Sequence, residues 1–468
     1  MSFVDDLAAL VAASTNPLVY GRPDWPRRKL GEVARIVNGY PFQSSAFNSE
    51  RGHPLARIRD VLRGWTETFF DGPHLAEASI HDGDLLIGMD GDFNVGCWHG
   101  GPALLNQRVC KVVADPALLD ARFLFYVLPA YLKLINDNTP STTVKHLSSR
   151  TLASVPLPLP PLDTQRRIVA RVDELFSDLD DGEEELARAR ADLSTYRKSL
   201  LKAAVTGDFT ADWRAANLPA EHGTDLLTRI LADRKARWTA DQRNTGRRHA
   251  EPAAPDMDAN AHLPHGWAWA GIEQLTTGGI RNGLSLKESS EPTEVKGLRL
   301  DALQPRGVDW ERTRYLPISI ARAAPYRLRS GDLLISRANG SPDLVGRCSL
   351  VTDSRDDTIF PDTAIRYPLW GEEVIHRWVS MAWSAPQTRA RMLASAKTTA
   401  GILKISQGDI ATVPLPLPPL AELREIVRRY DATLAETEAG WLEMRTLASA
   451  SATLRQTILA AAFRGDLI

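Results

Sequence analysis

The sequence predicts an α+β chain with a pseudo-twofold internal repeat, in which two β-rich mixed domains are separated by two long antiparallel coiled-coil helices. Three observations predict it. The stretch Val155-Pro-Leu-Pro-Leu-Pro-Pro-Leu162 recurs letter for letter as Val413 to Leu420, an offset of 258 residues. The same offset carries Arg166, Ile168, Val169, Arg171 and Asp173 onto Arg424, Ile426, Val427, Arg429 and Asp431, and Gly207-Asp208 onto Gly465-Asp466. After each proline-rich stretch the apolar spacing changes from two to seven, the signature of a packed helical seam.

The elements follow in chain order. Residues 1–21 hold a short apolar helix, Phe3 to Ala13, ahead of Asn16-Pro17, which packs on the body or on a partner. The first globular domain is placed at 22–157 and the second at 265–415. Both are read as strand-rich, because short apolar stretches such as Leu85 to Ile87, Arg108 to Val113, Leu298 to Leu300 and Cys348 to Val351 alternate with Gly, Pro, Asn and Asp. Gly83-Asp-Leu-Leu-Ile87 recurs as Gly331 to Ile335, and Trp25 to Val33 is loosely matched by Trp267 to Leu275. Spacer helices are placed at 158–208 and 416–468. Val172, Leu179, Leu186, Leu193 and Leu200 form the first seam; Val427, Leu434, Trp441 and Ala448 form the second, diluted by Thr437, Ser451 and Arg455. Gly182 interrupts the first seam, a local weakness. Between the copies, 209–264 carries a helix at Leu226 to Trp238 and then a polar run, His249 to His262, read as an exposed linker.

Composition narrows the function. A chain of 468 residues, 43% apolar, suffices for two or three domains. No uninterrupted apolar run is long enough to span a bilayer and no cleavable leader pattern opens the chain, so a soluble cytoplasmic protein is expected. Cys97, Cys110 and Cys348 lack metal-ligand spacing and are expected as buried free thiols. The net charge of −2 gives no global basic footprint, although Gly266 to Thr412 holds 19 Lys and Arg against 16 Asp and Glu. Phosphate-loop, nucleophile-elbow and HExxH patterns are all missing, as is the Asn/Asp-Pro-Pro-aromatic motif that amino-methyltransferases use on a flipped base. No catalytic or metal-binding residue is assigned. The carboxylates Asp82, Asp84, Asp90 and Asp92 leave a metal-dependent nuclease as one alternative, but Asp84 and its counterpart Asp332 stand where a turn enters a strand, and Asp serves geometry there.

Recognition chemistry remains. Arg and Asn are suited to guanine and adenine edges, and Lys, Arg and hydroxyls to phosphates. Arg337 and Asn339 follow a strand on a loop opened by Gly340, a position that also suits a solvated turn. The first copy offers Asp92 and Asn94 in the corresponding loop. A second pair of loops contributes Thr142, Thr143 and Lys145, and Lys397, Thr398, Thr399 and Lys404. Arg57 and Arg299, each read as lying in a short strand, complete the set.

The two proline stretches with their following helices resemble the central conserved regions of type I restriction-modification specificity subunits, as do Gln165 to Ser177, Gly207 to Arg214 and Leu226 to Trp238. The family's usual Glu-Gln pair is Thr164-Gln165 in the first copy and Glu422-Leu423 in the second, a departure confined to one local contact. The resemblance implies two target-recognition domains, each reading one half of a bipartite site in double-stranded DNA. It also implies two methyltransferase subunits docked on the helices, often with two restriction subunits, and no membrane partner. S-adenosylmethionine would be bound by the modification subunit, leaving no cofactor in this chain. A recognition subunit of a related bipartite-site restriction enzyme, and a coiled-coil scaffold that does not touch DNA, are the alternatives.

Overall fold

The proline-rich stretches are strands. Pro156–Pro158 pairs antiparallel with Arg27–Lys29, and Pro414–Leu417 pairs with Ala268–Gly271. Proline carries no N–H, so such a strand bonds along one edge only. The period of two sends Val155, Leu157, Val413, Leu415 and Leu417 inward, all at 3% exposure or less. The computed structural model describes residues 3–139, 144–217, 220–257, 262–399 and 401–467. It divides into two compact units, residues 1–187 with 444–468, and residues 188–443.

In the first unit, Ala34–Asn38, Val109–Ala114, Leu85–Gly88 and Val95–Cys97 lie in that order in an antiparallel sheet. The helix Ala121–Asn138 packs on it, opened by the Asp120 carboxylate, which accepts the N–H groups of Arg122 and Phe123. The N-terminal helix Phe3–Ala13 sends Leu7 and Val11 into the same core. The second unit repeats the sheet order with Arg281–Asn282, Ala364–Pro368, Asp332–Ser336 and Cys348–Leu350. Its covering helix, Glu373–Ser384, buries Trp378 and Trp383, whose indole N–H groups donate to the carbonyls of Pro416 and Gly346.

The long helices run Leu162–Thr206 and Leu420–Arg464, 45 residues each, or about 67 Å at 1.5 Å per residue. Gly182 does not interrupt the first. Within the first unit, Ile168 and Val172 near the start of one helix share a core with Ala462 and Phe463 at the end of the other. Within the second unit, Leu423, Ile426 and Val427 share a core with Leu200, Ala204 and Val205. The helix segments in each unit are therefore antiparallel. Burial is concentrated at these ends. Leu179, Leu186, Leu193, Leu434, Trp441 and Ala448 are only half-buried, where the seam pattern implies a dry stripe, because a two-helix layer covers each apolar face from one side. The residues that dilute the second seam are cross-links: Arg455 pairs with Asp180 at 2.5 Å, the Ser451 hydroxyl donates to Glu183, and Arg197 donates to Thr437 at 3.5 Å while lying over the Trp441 ring.

Thr164-Gln165 and Glu422-Leu423 each place a buried polar side chain at the start of a long helix. Buried Gln165 donates to the carbonyls of Leu118 and Pro160 and accepts the Asp120 N–H at 2.8 Å, tying the helix start to the domain. Buried Glu422 instead accepts from Thr210, Arg214 and Trp267 at 2.8, 2.6 and 2.8 Å. Each copy has one polar clasp, built from a different residue.

Other expectations need correction. Cys97 is exposed, while Cys110 and Cys348 are buried; burial pushes the Cys110 thiol up to about 12. The strand expected at Leu298 to Leu300 is Val295–Leu298, and a 3-10 turn begins at Leu300. The run from His249 is not a free linker. Pro252 is buried, the Asp256 N–H donates to the Thr412 carbonyl, and Arg391 pairs with Asp256 at 3.0 Å. Among the described residues no helix is long and apolar enough to cross a membrane.

Candidate nucleic-acid interface

Backbone pairing assembles the site in the second unit. Strand Asp332–Ser336 ends where the Arg337 N–H donates to the Thr363 carbonyl and the Arg337 carbonyl accepts from Ile405. Ala338–Asn339 then pairs with Ile402–Lys404, which pairs in turn with Lys397–Thr399. Lys404 stands opposite both Ala338 and Lys397, and Leu403 opposite both Asn339 and Thr398. This three-stranded ribbon brings Arg337, Asn339, Lys397, Thr398, Thr399 and Lys404 together from segments about sixty residues apart. Lys397, Thr398 and Lys404 are exposed and Arg337 is half-buried. Among the described residues, Arg337, Lys397 and Lys404 are in no ion pair. The Asn339 side-chain oxygen accepts the Ser341 N–H at 3.0 Å in an Asx turn, which leaves the side-chain NH2 available.

The first unit repeats the joint with other side chains. The Gly-Asp-Leu-Leu-Ile match and the 258-residue offset carry Asp90 and His146 onto Ala338 and Lys404, and Asp90 and His146 form an antiparallel bridge of the same kind. Here the charges close on themselves. Asp90 takes Arg108 and His146, each at 2.7 Å, and the Lys145 ammonium donates to the Asn136 carbonyl at 2.6 Å. Asp92 is exposed and Asn94 half-buried, on either side of Phe93, whose φ of 54° places a non-glycine residue in the left-handed region. Thr142 and Thr143 lie outside the described residues.

Arg57 and Arg299 follow strands rather than lying in them, because the chain turns into a 3-10 segment after Ala56 and after Leu298. Arg57 lies over the Phe47 ring at 5.6 Å. Arg299 pairs with Glu288 at 2.8 Å and lines a cleft with Asn339. That cleft, with Gln304, Ser336 and Arg347, carried no signal in the sequence beyond polar residues scattered among apolar ones.

Asp82, Asp84 and Asp90 of the first copy are occupied structurally. Asp82 accepts the Gly101 N–H at 2.7 Å, and Asp84 accepts the His81 N–H at 2.8 Å and the Lys111 ammonium at 3.0 Å. Asp332 repeats the Asp84 turn, accepting the Arg329 N–H, and burial pushes its carboxyl up. No cluster of carboxylates, His and Cys that could hold a metal ion occurs among the described residues.

Comparison with known proteins agrees with this architecture. The family described as "Type I restriction modification DNA specificity domain" matches residues 23–187. The type I restriction enzyme EcoBI specificity subunit of Escherichia coli is 31% identical over 484 aligned residues, covering 100% of this chain and 91% of that protein. The EcoKI specificity subunit of Escherichia coli strain K12 is 25% identical, covering 95% and 89%. A chain solved in work on complex assembly and conformational transition of the type I R-M system is 19% identical, with a TM-score of 0.62 over 95% of this chain and 99% of that one, which shows a shared fold. With a full-length relative above 30% identity and a repeated fold to match, the chain belongs to the family of type I restriction-enzyme specificity subunits.

Proposed function

We propose that the chain is the non-catalytic DNA-recognition subunit of a cytoplasmic type I restriction-modification complex. Its domains, at 22–157 and 265–415, each read one half of a bipartite and asymmetric site. The paired helices set the gap between the halves and dock two methyltransferase subunits, which bind S-adenosylmethionine and modify adenine. Where the system carries restriction subunits, two of them join the same assembly. The observation that carries this reading is the duplicated ribbon joint, Asp90 with His146 and Ala338 with Lys404, one backbone arrangement bearing different side chains. A common frame with exchanged chemistry suits a reader of two unlike half-sites.

The test is selection from random duplexes by the chain assembled with its methyltransferase subunits. A split sequence with a fixed gap is the expected product. Enrichment of no sequence would refute the reading and leave the coiled-coil scaffold. Two further outcomes are expected. Four residues inserted in each seam lengthen it by about 6 Å, close to two base-pair steps of about 3.4 Å, and the selected gap grows; an unchanged gap refutes the ruler role. Changing Lys397 and Lys404 together to Gln lowers the slope of log affinity against log salt by about 2, since each phosphate no longer neutralised accounts for about 0.9. An unchanged slope would place both lysines off the DNA.

A further inference from the structure

We infer that the second unit holds a guanine-reading cleft, with Arg347 and Ser336 as its specificity-determining residues. This rests on the DNA-recognition reading above. The cleft measures about 550 Å³ and is lined by Arg299, Asp301, Gln304, Ser336, Asn339 and Arg347 among others. Ser336 is 3% exposed and its hydroxyl has no hydrogen-bond partner. Buried hydroxyls are almost always paired, so an orphan at the wall of a cleft is a group to test for a ligand bond. Arg347 is its neighbour across the strand pair, since the Ser336 N–H donates to the Arg347 carbonyl at 2.8 Å. Arg347 is half-buried and, among the described residues, in no ion pair.

The cleft sets donors from Arg347, Asn339 and Ser336 beside apolar walls from Leu300, Leu303 and Leu344. Asp301 is held by Arg312 at 2.7 Å, and the Asn339 side-chain oxygen is held by its own turn, which leaves the side-chain NH2 available along with the guanidinium and the hydroxyl. That set of donors suits an acceptor-rich edge. In the major groove that edge is guanine, whose O6 and N7 match the fork of an arginine.

The first copy shows the same position closed. Gly88 stands where the second copy has Ser336, and a Cβ built on Gly88 would meet the Ile58 side chain at 3.0 Å. Ile58 follows Arg57 as Leu300, itself a wall of the cleft, follows Arg299, so the two copies differ at Gly88, where Ile58 leaves no room for the hydroxyl-bearing side chain that the second copy has at Ser336.

The experiment compares the assembled complex carrying the wild-type chain, Ser336→Ala, Arg347→Gln or Arg347→Lys in selection from random duplexes, with thermal unfolding of each variant as a check on folding. The wild-type arm tests the recognition reading by itself: without a split motif that reading fails. Given a motif, Arg347→Gln is expected to relax one G·C position of one half-site by about 5- to 150-fold, with Ser336→Ala relaxing the same position and the other half-site unchanged. Arg347→Lys, which keeps the charge and loses the fork, is expected to relax it too. Retained selectivity in folded Arg347→Gln, or full rescue by Arg347→Lys, would overturn the proposal, the latter by identifying a phosphate contact.

Discussion

Replacing Glu422 with Ala is expected to destabilise residues 188–443 by about 3–5 kcal/mol, the range for removing one partner of a buried ion pair. The carboxylate is 1% exposed and accepts three hydrogen bonds, from the Thr210 hydroxyl, the Arg214 guanidinium and the Trp267 indole. Removing it leaves Arg214, at 21% side-chain exposure, without its counter-charge and two further donors unpaired. The three donors come from the segment after the first long helix and from the strand-entry loop before Ala268, while Glu422 sits in the first turn of the second helix. The substitution therefore loosens the junction of three elements at once. Glu422→Gln, which keeps an acceptor and loses the charge, should fall between wild type and Ala. Denaturant unfolding followed by Trp fluorescence measures it, and a loss below about 1 kcal/mol would show that the pair behaves as a surface ion pair.

Phe463→Ala should cost about 3–5 kcal/mol, although the residue lies near the end of the chain. Phe463 is 0% exposed, with its ring centroid 5.0 Å from that of Phe123 on the covering helix of the first domain. Ala462 beside it is equally buried. The ring belongs to the core that holds Ile168, Val172 and Tyr131, so its loss opens a cavity inside the first unit rather than fraying a helix end. Leu454→Ala, at 45% exposure on the same helix, is the control and should stay within about 0.5 kcal/mol. Equal effects at the two positions would contradict the assignment of Phe463 to the core.

The repeat and its helices were legible because their signals are local. Two identical proline stretches and a spacing of seven are properties of neighbouring residues, and they predict where helices start and which copy is which. The N-terminal helix Phe3–Ala13 and the helix after the first spacer were read for the same reason, the second observed as Gly223–Ala240. Candidate recognition residues could be named by type, since Arg, Asn and Lys near strand ends form a short set.

Which of them meet was decided by the tertiary structure alone. Arg337 and Asn339 join Lys397 and Lys404 through backbone pairing across about sixty residues, and no period in either segment encodes that register. Lys145 and Lys404 look alike in the sequence, yet one ammonium is held by the Asn136 carbonyl and the other is exposed and, among the described residues, outside any ion pair. The orphan hydroxyl of Ser336 and the clasp at Glu422 exist only because distant elements bury them. Periodicity specifies which face of an element is apolar; the partner of a polar group depends on what the rest of the chain brings within hydrogen-bond distance.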